Sequence, residues 1–142
     1  MNIELDTNHS ITTAGSEVYI MATQCNLALG VWQVTVNRAW VNSNAPCTAA
    51  EITSGVWHHF QIQAHHDENG GPGIYYDAVA VDGNVTPITT CKNPSTGVAL
   101  GCVSTSENLG WGSVIGPNFQ IDGNGSGGCA SAFVDEFTIY FW

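Results

Sequence analysis

In this chain of 142 residues only 10% are charged, and twelve carboxylates face two basic side chains, Arg38 and Lys92, for a net charge of −10. A nucleic-acid partner is excluded, because it needs clustered Lys and Arg to displace counterions; anionic membranes and polyanionic sugars are disfavoured on the same ground. The length suits one domain with its own core, read as residues 1–142, and no apolar stretch approaches the roughly 20 residues of a membrane-crossing helix.

Short alternating runs separated by Gly, Asn, Pro and Asp predict an all-β chain. Strands are expected at 3–6 and at 17–24, where Val18, Ile20 and Ala22 alternate with Tyr19, Met21 and Thr23. Residues 29–36 follow, with Trp32, Val34 and Val36 on one face and Val31 and Gln33 on the other. Residues 38–41 read as a short strand that Ala45-Pro46 closes, and 49–53 as a loop or helical turn. The longest run is 56–66. In it Phe60, Ile62 and Ala64 point to the core, while His59, Gln61, Gln63 and His65 form an outward stripe of uncharged hydrogen-bonding groups. After the loop Asp67 to Gly73, marked by Asn69-Gly70-Gly71-Pro72-Gly73, residues 74–81 lead into Asp82-Gly83, a type I′ hairpin signal, and 85–90 return. Residues 91–113 read as loop, 118–122 as a strand and 123–128 as a glycine-rich loop. The last strand is expected at 132–141, with Phe133, Asp135, Phe137, Ile139 and Phe141 sharing a face.

None of the five cysteines forms C-x-x-C, and no His stands at zinc-finger spacing, so disulfides are the better reading. Cys91 and Cys102 bracket a Pro/Gly-rich loop that has no apolar pattern to hold it. Cys25 and Cys47 flank the strands around Trp32 and Trp40, and Cys129 is left over. Paired cysteines imply an oxidising compartment, hence a secreted protein. Met1 runs directly into Asn2-Ile3-Glu4-Leu5-Asp6 without a leader, which reads as a mature or excised form.

The succession of Trp57-His58-His59, Tyr75-Tyr76-Asp77 leading to Asp82-Gly83, Phe119-Gln120-Ile121-Asp122 and Phe133-Val134-Asp135-Glu136-Phe137-Thr138-Ile139-Tyr140 resembles the laminin-G-like, concanavalin-A-like lectin and glucanase superfamily over residues 16–141. That resemblance implies an antiparallel two-sheet jelly-roll sandwich. It leaves function open among lectins, carbohydrate-binding modules, glycosidases, lyases and adhesion domains. The glucanase motif Glu-x-Asp-x-Glu is broken here. Glu4 and Asp6 are followed by Asn8 and His9, so this strand is read as structural, and no second carboxyl is placed for a retaining mechanism. The resemblance also implies a structural Ca²⁺ near the termini, with Asp135 as ligand and Asp6 and Asp122 as further oxygen donors.

A neutral glycan is bound by aromatic faces against its C–H surface and by amides and hydroxyls that orient it. The expected binding residues are Trp32, Trp40, Tyr76 and Trp111, with His59, Gln61, Gln63 and His65. A place in the core is the competing reading for Trp32 and Trp57. The pairs His58/His59 and His65/His66 put neighbours on opposite faces, which excludes a metal site on one strand. The expectation is a secreted, non-catalytic, lectin-like module for a neutral glycan. The alternatives are a small glycosidase or lyase of the same fold, and an adhesion or assembly domain that self-associates.

Overall fold

A computed structural model of the chain describes residues 2–11, 17–66, 73–107, 115–123, 131–136 and 138. Among these, every regular element is a β-strand: β1 (Asn2–Ile11), β2 (Glu17–Asn26), β3 (Val31–Val36), β4 (Ala39–Pro46), β5 (Phe60–His66), β6 (Gly73–Val81), β7 (Asn84–Pro87), β8 (Cys91–Lys92), β9 (Ala99–Leu100), β10 (Val103–Glu107) and β11 (Ile115–Asp122). All pairings are antiparallel. One sheet of seven runs β11-β1-β2-β3-β4-β8-β9, and a second of four holds β5, β6, β7 and β10. The strand β10 ties them together. Its residues Val103, Ser104 and Thr105 pair with β6, while Ser106 pairs with Tyr19 and Glu107 with Val18 of β2. No helix among the described residues is long and apolar enough to cross a membrane.

Turn chemistry sets the hairpins. Asp82 and Gly83 adopt φ of 51° and 81°, the double positive φ of a type I′ turn, as the sequence predicts. A second turn of that kind joins β3 to β4 through Asn37 (φ 50°) and Arg38 (φ 64°). Asn tolerates this region; Arg38 carries the strain, which the tight β3–β4 pairing enforces. Consequently Arg38 lies in the turn rather than in the strand. Pro46 does not break β4 early but ends it, opposite Val31 where the β3–β4 register shifts.

The core lies between the sheets. Trp32, Val34, Val36, Val41, Tyr76 and Val79 are buried in one cluster, and Trp32 meets Phe60 of β5 edge-on at 6.1 Å between ring centres. The disulfides Cys25–Cys47 and Cys91–Cys102 are both present, with Cα–Cα distances of 5.6 Å and 5.3 Å. Cys129 lies outside the described residues.

Tyr76 closes a fork. Along one edge of β2 the partner changes from β3 to β10, and there the Tyr76 hydroxyl lies 2.9 Å from Thr35 Oγ1, 3.2 Å from the Thr35 carbonyl and 3.4 Å from the Ala22 carbonyl. Burial pushes this phenol above its ordinary 10.0, the hydrogen bonds opposing only in part. Replacing Tyr76 by Phe leaves these carbonyls without their donor and is expected to cost about 1–3 kcal/mol in urea unfolding. An unchanged midpoint would show that the fork does not need the hydroxyl.

The expected last strand is a correction. Ser131 to Glu136 and Thr138 are in no strand, and Phe133 is 82% exposed. Alternation alone cannot make a strand that no neighbour pairs. Phe137 and Ile139 to Phe141 lie outside the described residues. Trp57 is likewise no core residue. The strand β5 begins only at Phe60, and Trp57 is 68% exposed beside Val56.

Candidate ligand-binding face

One extra residue in β6 organises the outward side of the smaller sheet. Gln63 pairs with Ala78 and Ala64 with Tyr76, so Asp77 is a β-bulge with no opposite number on β5. Before the bulge Ile74 and Tyr76 face the core, and after it Val79 and Val81 do. The strand β5 keeps a single phase, with Phe60 and Ile62 inward. The bulge carbonyl is used too, accepting from the Ile88 N–H at 2.7 Å.

The outward row therefore contains Gln61, Gln63 and His65 of β5 opposite Ala80, Ala78 and Tyr75 of β6. His65 stacks on Tyr75, ring centres 5.2 Å apart and 13° from parallel. Its Nδ1–H donates to the Asp77 carboxylate, 2.8 Å from each oxygen. Between Gln61 and Gln63 on one side and Val85 and Pro87 of β7 on the other, the two alanines, Ala78 and Ala80, are covered, at 4% and 3% exposure. The result is a shallow polar face with an aromatic pair and a positioned carboxylate at one end.

Of the expected binding residues, Gln61, Gln63 and His65 stand on this face. His59 lies just before β5, exposed, and its backbone N–H donates to Asp82 Oδ1 at 2.8 Å. Trp32 and Tyr76 are corrections as stacking platforms. They are 1% and 3% exposed, consumed by the core and by the β2 fork. Trp40 is half-buried on the larger sheet, opposite Thr35 and so away from this face. Trp111 lies outside the described residues. Tyr75 and Asp77 are the residues missed by sequence reasoning. Their signal was the phase slip from Ile74 and Tyr76 to Val79 and Val81.

The larger sheet carries a polar row of another kind. Register aligns Gln120, Glu4, Gln24, Gln33, Asn42 and Lys92 across β11, β1, β2, β3, β4 and β8. Within it Gln24 Nε2 donates to Gln33 Oε1 at 2.6 Å, and Gln33 Nε2 to Asn42 Oδ1 at 2.7 Å; Asn26 Nδ2 also reaches Gln33 Oε1 at 3.0 Å. Gln24 and Gln33 are only 3% and 4% exposed. Their amides satisfy one another, which makes the row a register lock and not a ligand surface. Glu4 belongs to it, buried at 8%.

Among the described residues no group of three His, Cys, Asp or Glu side chains converges on a point. Asp6 pairs with Asn118 and Asp122 with Asn2, four positions apart in the β1–β11 register. That spacing is about 13 Å, beyond the reach of two carboxylates sharing one ion, so the calcium expectation draws no support from the register. Asp135 is exposed in the segment without a strand.

A latch stands beside the β6–β7 turn. His58 Nδ1–H donates to Asp82 Oδ2 at 2.8 Å, and its Nε2 lies 3.0 Å from the Thr53 N–H and 3.1 Å from the Thr53 carbonyl. Neutral His58 accepts from that N–H, and protonated His58 donates to the carbonyl. The Asp82 hydrogen bond, then the Thr53 carbonyl, raise His58 above 6.5. The bonds from His58 and from the His59 N–H hold Asp82 below 3.8. A raised His stabilises fully below 6.5 and ceases to do so as pH rises through its folded pKa. A lowered Asp stabilises above 3.8 and ceases as pH falls through its own. The latch therefore contributes most between those limits. His58→Gln is expected to lower the melting temperature more at pH 5 than at pH 9; an equal loss at both would show that the proton plays no part.

Comparison of this chain with protein-family models, with curated proteins and with solved structures returns no match, so its function is argued from the geometry above.

Proposed function

We propose that this protein is a secreted, non-catalytic module that binds a neutral glycan on the outward face of β5 and β6. The observation that carries the reading is the Asp77 bulge, which holds a carboxylate against the stacked His65–Tyr75 pair at the end of the Gln61 and Gln63 row. Amide side chains both donate and accept, as sugar hydroxyls do, and an exposed carboxylate accepts from two adjacent hydroxyls. Scarcity of Lys and Arg fits an uncharged ligand, and the two disulfides fit an oxidising compartment.

The test is a pull-down on insoluble neutral polysaccharides with a parallel soluble glycan screen, run with and without EDTA and assayed for released sugar. Binding without product, reduced about tenfold or more in Tyr75→Ala, is the expected result. Loss in EDTA would add calcium to the site. Released sugar would replace this reading by the enzymatic one, and no binding by the parent chain would replace it by the assembly domain, for which exposed Trp57 and Val56 provide an apolar contact.

A further inference from the structure

The outermost strands of the two sheets are guarded unequally against further pairing. Among the described residues β11 pairs on one side and carries Pro117, β7 is four residues long and ends in Pro87, and β9 has two residues. Prolines and short edges are the usual devices against an added strand. The strand β5 has neither. It runs for seven residues, Phe60 to His66, pairs only with β6 among the described residues, and contains no Pro, Asp, Glu, Lys or Arg. Its inward residues Phe60, Ile62 and Ala64 are only half-buried, whereas Ile74, Tyr76 and Val79 of β6 are buried. The core is therefore open on the β5 side, beside a row of backbone groups that can template one more strand.

Residues 132–141 have the pattern of that strand and no partner for it. Their described part, 132–136 and 138, is exposed throughout and belongs to no strand. Every pairing in the fold is antiparallel, and an antiparallel register exists in which both faces match. It sets Phe141 opposite Phe60, Ile139 opposite Ile62 and Phe137 opposite Ala64, which covers the half-buried row. Tyr140 and Thr138 then fall opposite Gln61 and Gln63 on the outward side. Glu136 and Asp135 fall opposite His65 and His66, so both carboxylates meet imidazoles rather than the core. We infer that the free edge of β5 receives residues 132–141 of a second copy of this chain as an added strand. The contact joins an edge to a segment, so it closes as a reciprocal dimer or runs on as a chain of copies. The net charge of −10 on each copy opposes the approach, and added salt therefore strengthens it. The inference stands apart from the glycan reading, because it needs the edge of β5 and no sugar.

The test is sedimentation velocity of the full chain, without sugar, from about 5 to about 500 µM, over which the weight-average mass is expected to at least double. Ile139→Lys, on the inward face of the segment, is expected to weaken association about tenfold or more. Tyr140→Lys, on its outward face, removes a side chain of similar apolar content and is expected to weaken it less than about threefold. A segment that is merely sticky responds to the two changes alike. The Ile139→Lys chain keeps its β5 edge free, so its ¹⁵N-labelled form serves as the receptor for an unlabelled synthetic peptide of residues 131–142. Saturable amide shifts are expected along residues 60–66. A parent chain that stays monomeric at every concentration overturns the proposal, and so do equal losses in the two variants. Peptide shifts that gather on the larger sheet or at Trp57 and leave 60–66 unmoved overturn it as well. Slow amide exchange at 60–66 in a monomeric parent, lost in Ile139→Lys, also does so, by placing the segment on its own chain. Failure of the glycan screen leaves all of these readouts unaffected.

Discussion

Gln33→Met is expected to lower the unfolding free energy by about 2–4 kcal/mol, far more than a volume-conserving change usually costs. Gln33 is the hub of the amide row. Its Oε1 accepts from Gln24 and from Asn26, and its Nε2 donates to Asn42. Met fills the space but makes none of these bonds. Gln24, 3% exposed, then keeps a donor with neither partner nor water, while the half-buried Asn26 and Asn42 recover part of their loss from solvent. Urea unfolding followed by tryptophan fluorescence measures the difference. A loss under about 1 kcal/mol would mean that the row is ornamental and that the apolar face alone fixes the β2–β3–β4 register.

Removing the Cys25–Cys47 disulfide with paired alanines should cost about 3–5 kcal/mol. Closing a loop across a separation of 22 residues gives roughly 3 kcal/mol from chain entropy alone. Both sulfurs belong to residues with 0% exposure in the main core, so the truncated side chains also leave a void. The Cys91–Cys102 bridge closes a separation of only 11, and halving the loop changes the entropic term by about 0.6 kcal/mol. Cys102 is partly buried, so the void term is smaller as well. Denaturation of the two double variants under oxidising conditions should therefore rank Cys25/Cys47 as the costlier loss. The reverse order would place the structural weight in the 91–102 loop and not in the core.

Hairpin chemistry made much of the fold legible. Asp82-Gly83 announced its turn, and the alternating runs around Trp32 and Phe60 marked the strands that form the core. Both disulfides were legible for different reasons: Cys91 and Cys102 bracket a loop with no apolar pattern, and Cys25 and Cys47 flank the strands around Trp32 and Trp40. What escaped was decided by neighbours. The strand β10, Val103-Ser104-Thr105-Ser106-Glu107, has a single apolar residue and is extended because β6 and β2 both pair with it. Residues 132–141 have the strongest alternation in the chain, yet the described ones are exposed and unpaired. In sheets, periodicity states which face a residue takes if a partner exists; it does not supply the partner.

The site was half legible for a related reason. The Gln61, Gln63 and His65 stripe follows directly from period two. The sequence points to Tyr76 for the outward face that Tyr75 occupies, because the bulge at Asp77 shifts the phase of β6 by one residue. A shift from even to odd apolar positions within one strand is the sign of such a bulge, and Ile74, Tyr76, Val79, Val81 display it. The amide row had a sign as well. Gln24, Gln33 and Asn42 are each nine residues apart, the repeat that aligns side chains across successive short hairpins.

The most direct test of the glycan-binding face is an amide-shift footprint of a bound neutral oligosaccharide on the ¹⁵N-labelled chain, using the ligand with the highest affinity in the screen. The account predicts the largest shifts at residues 61–65 and 75–80, with the His65 ring protons moving as the sugar stacks on the His65–Tyr75 pair. Shifts confined to the larger sheet around Trp40, or to the segment 131–136, would contradict it and move the binding site off the β5–β6 face.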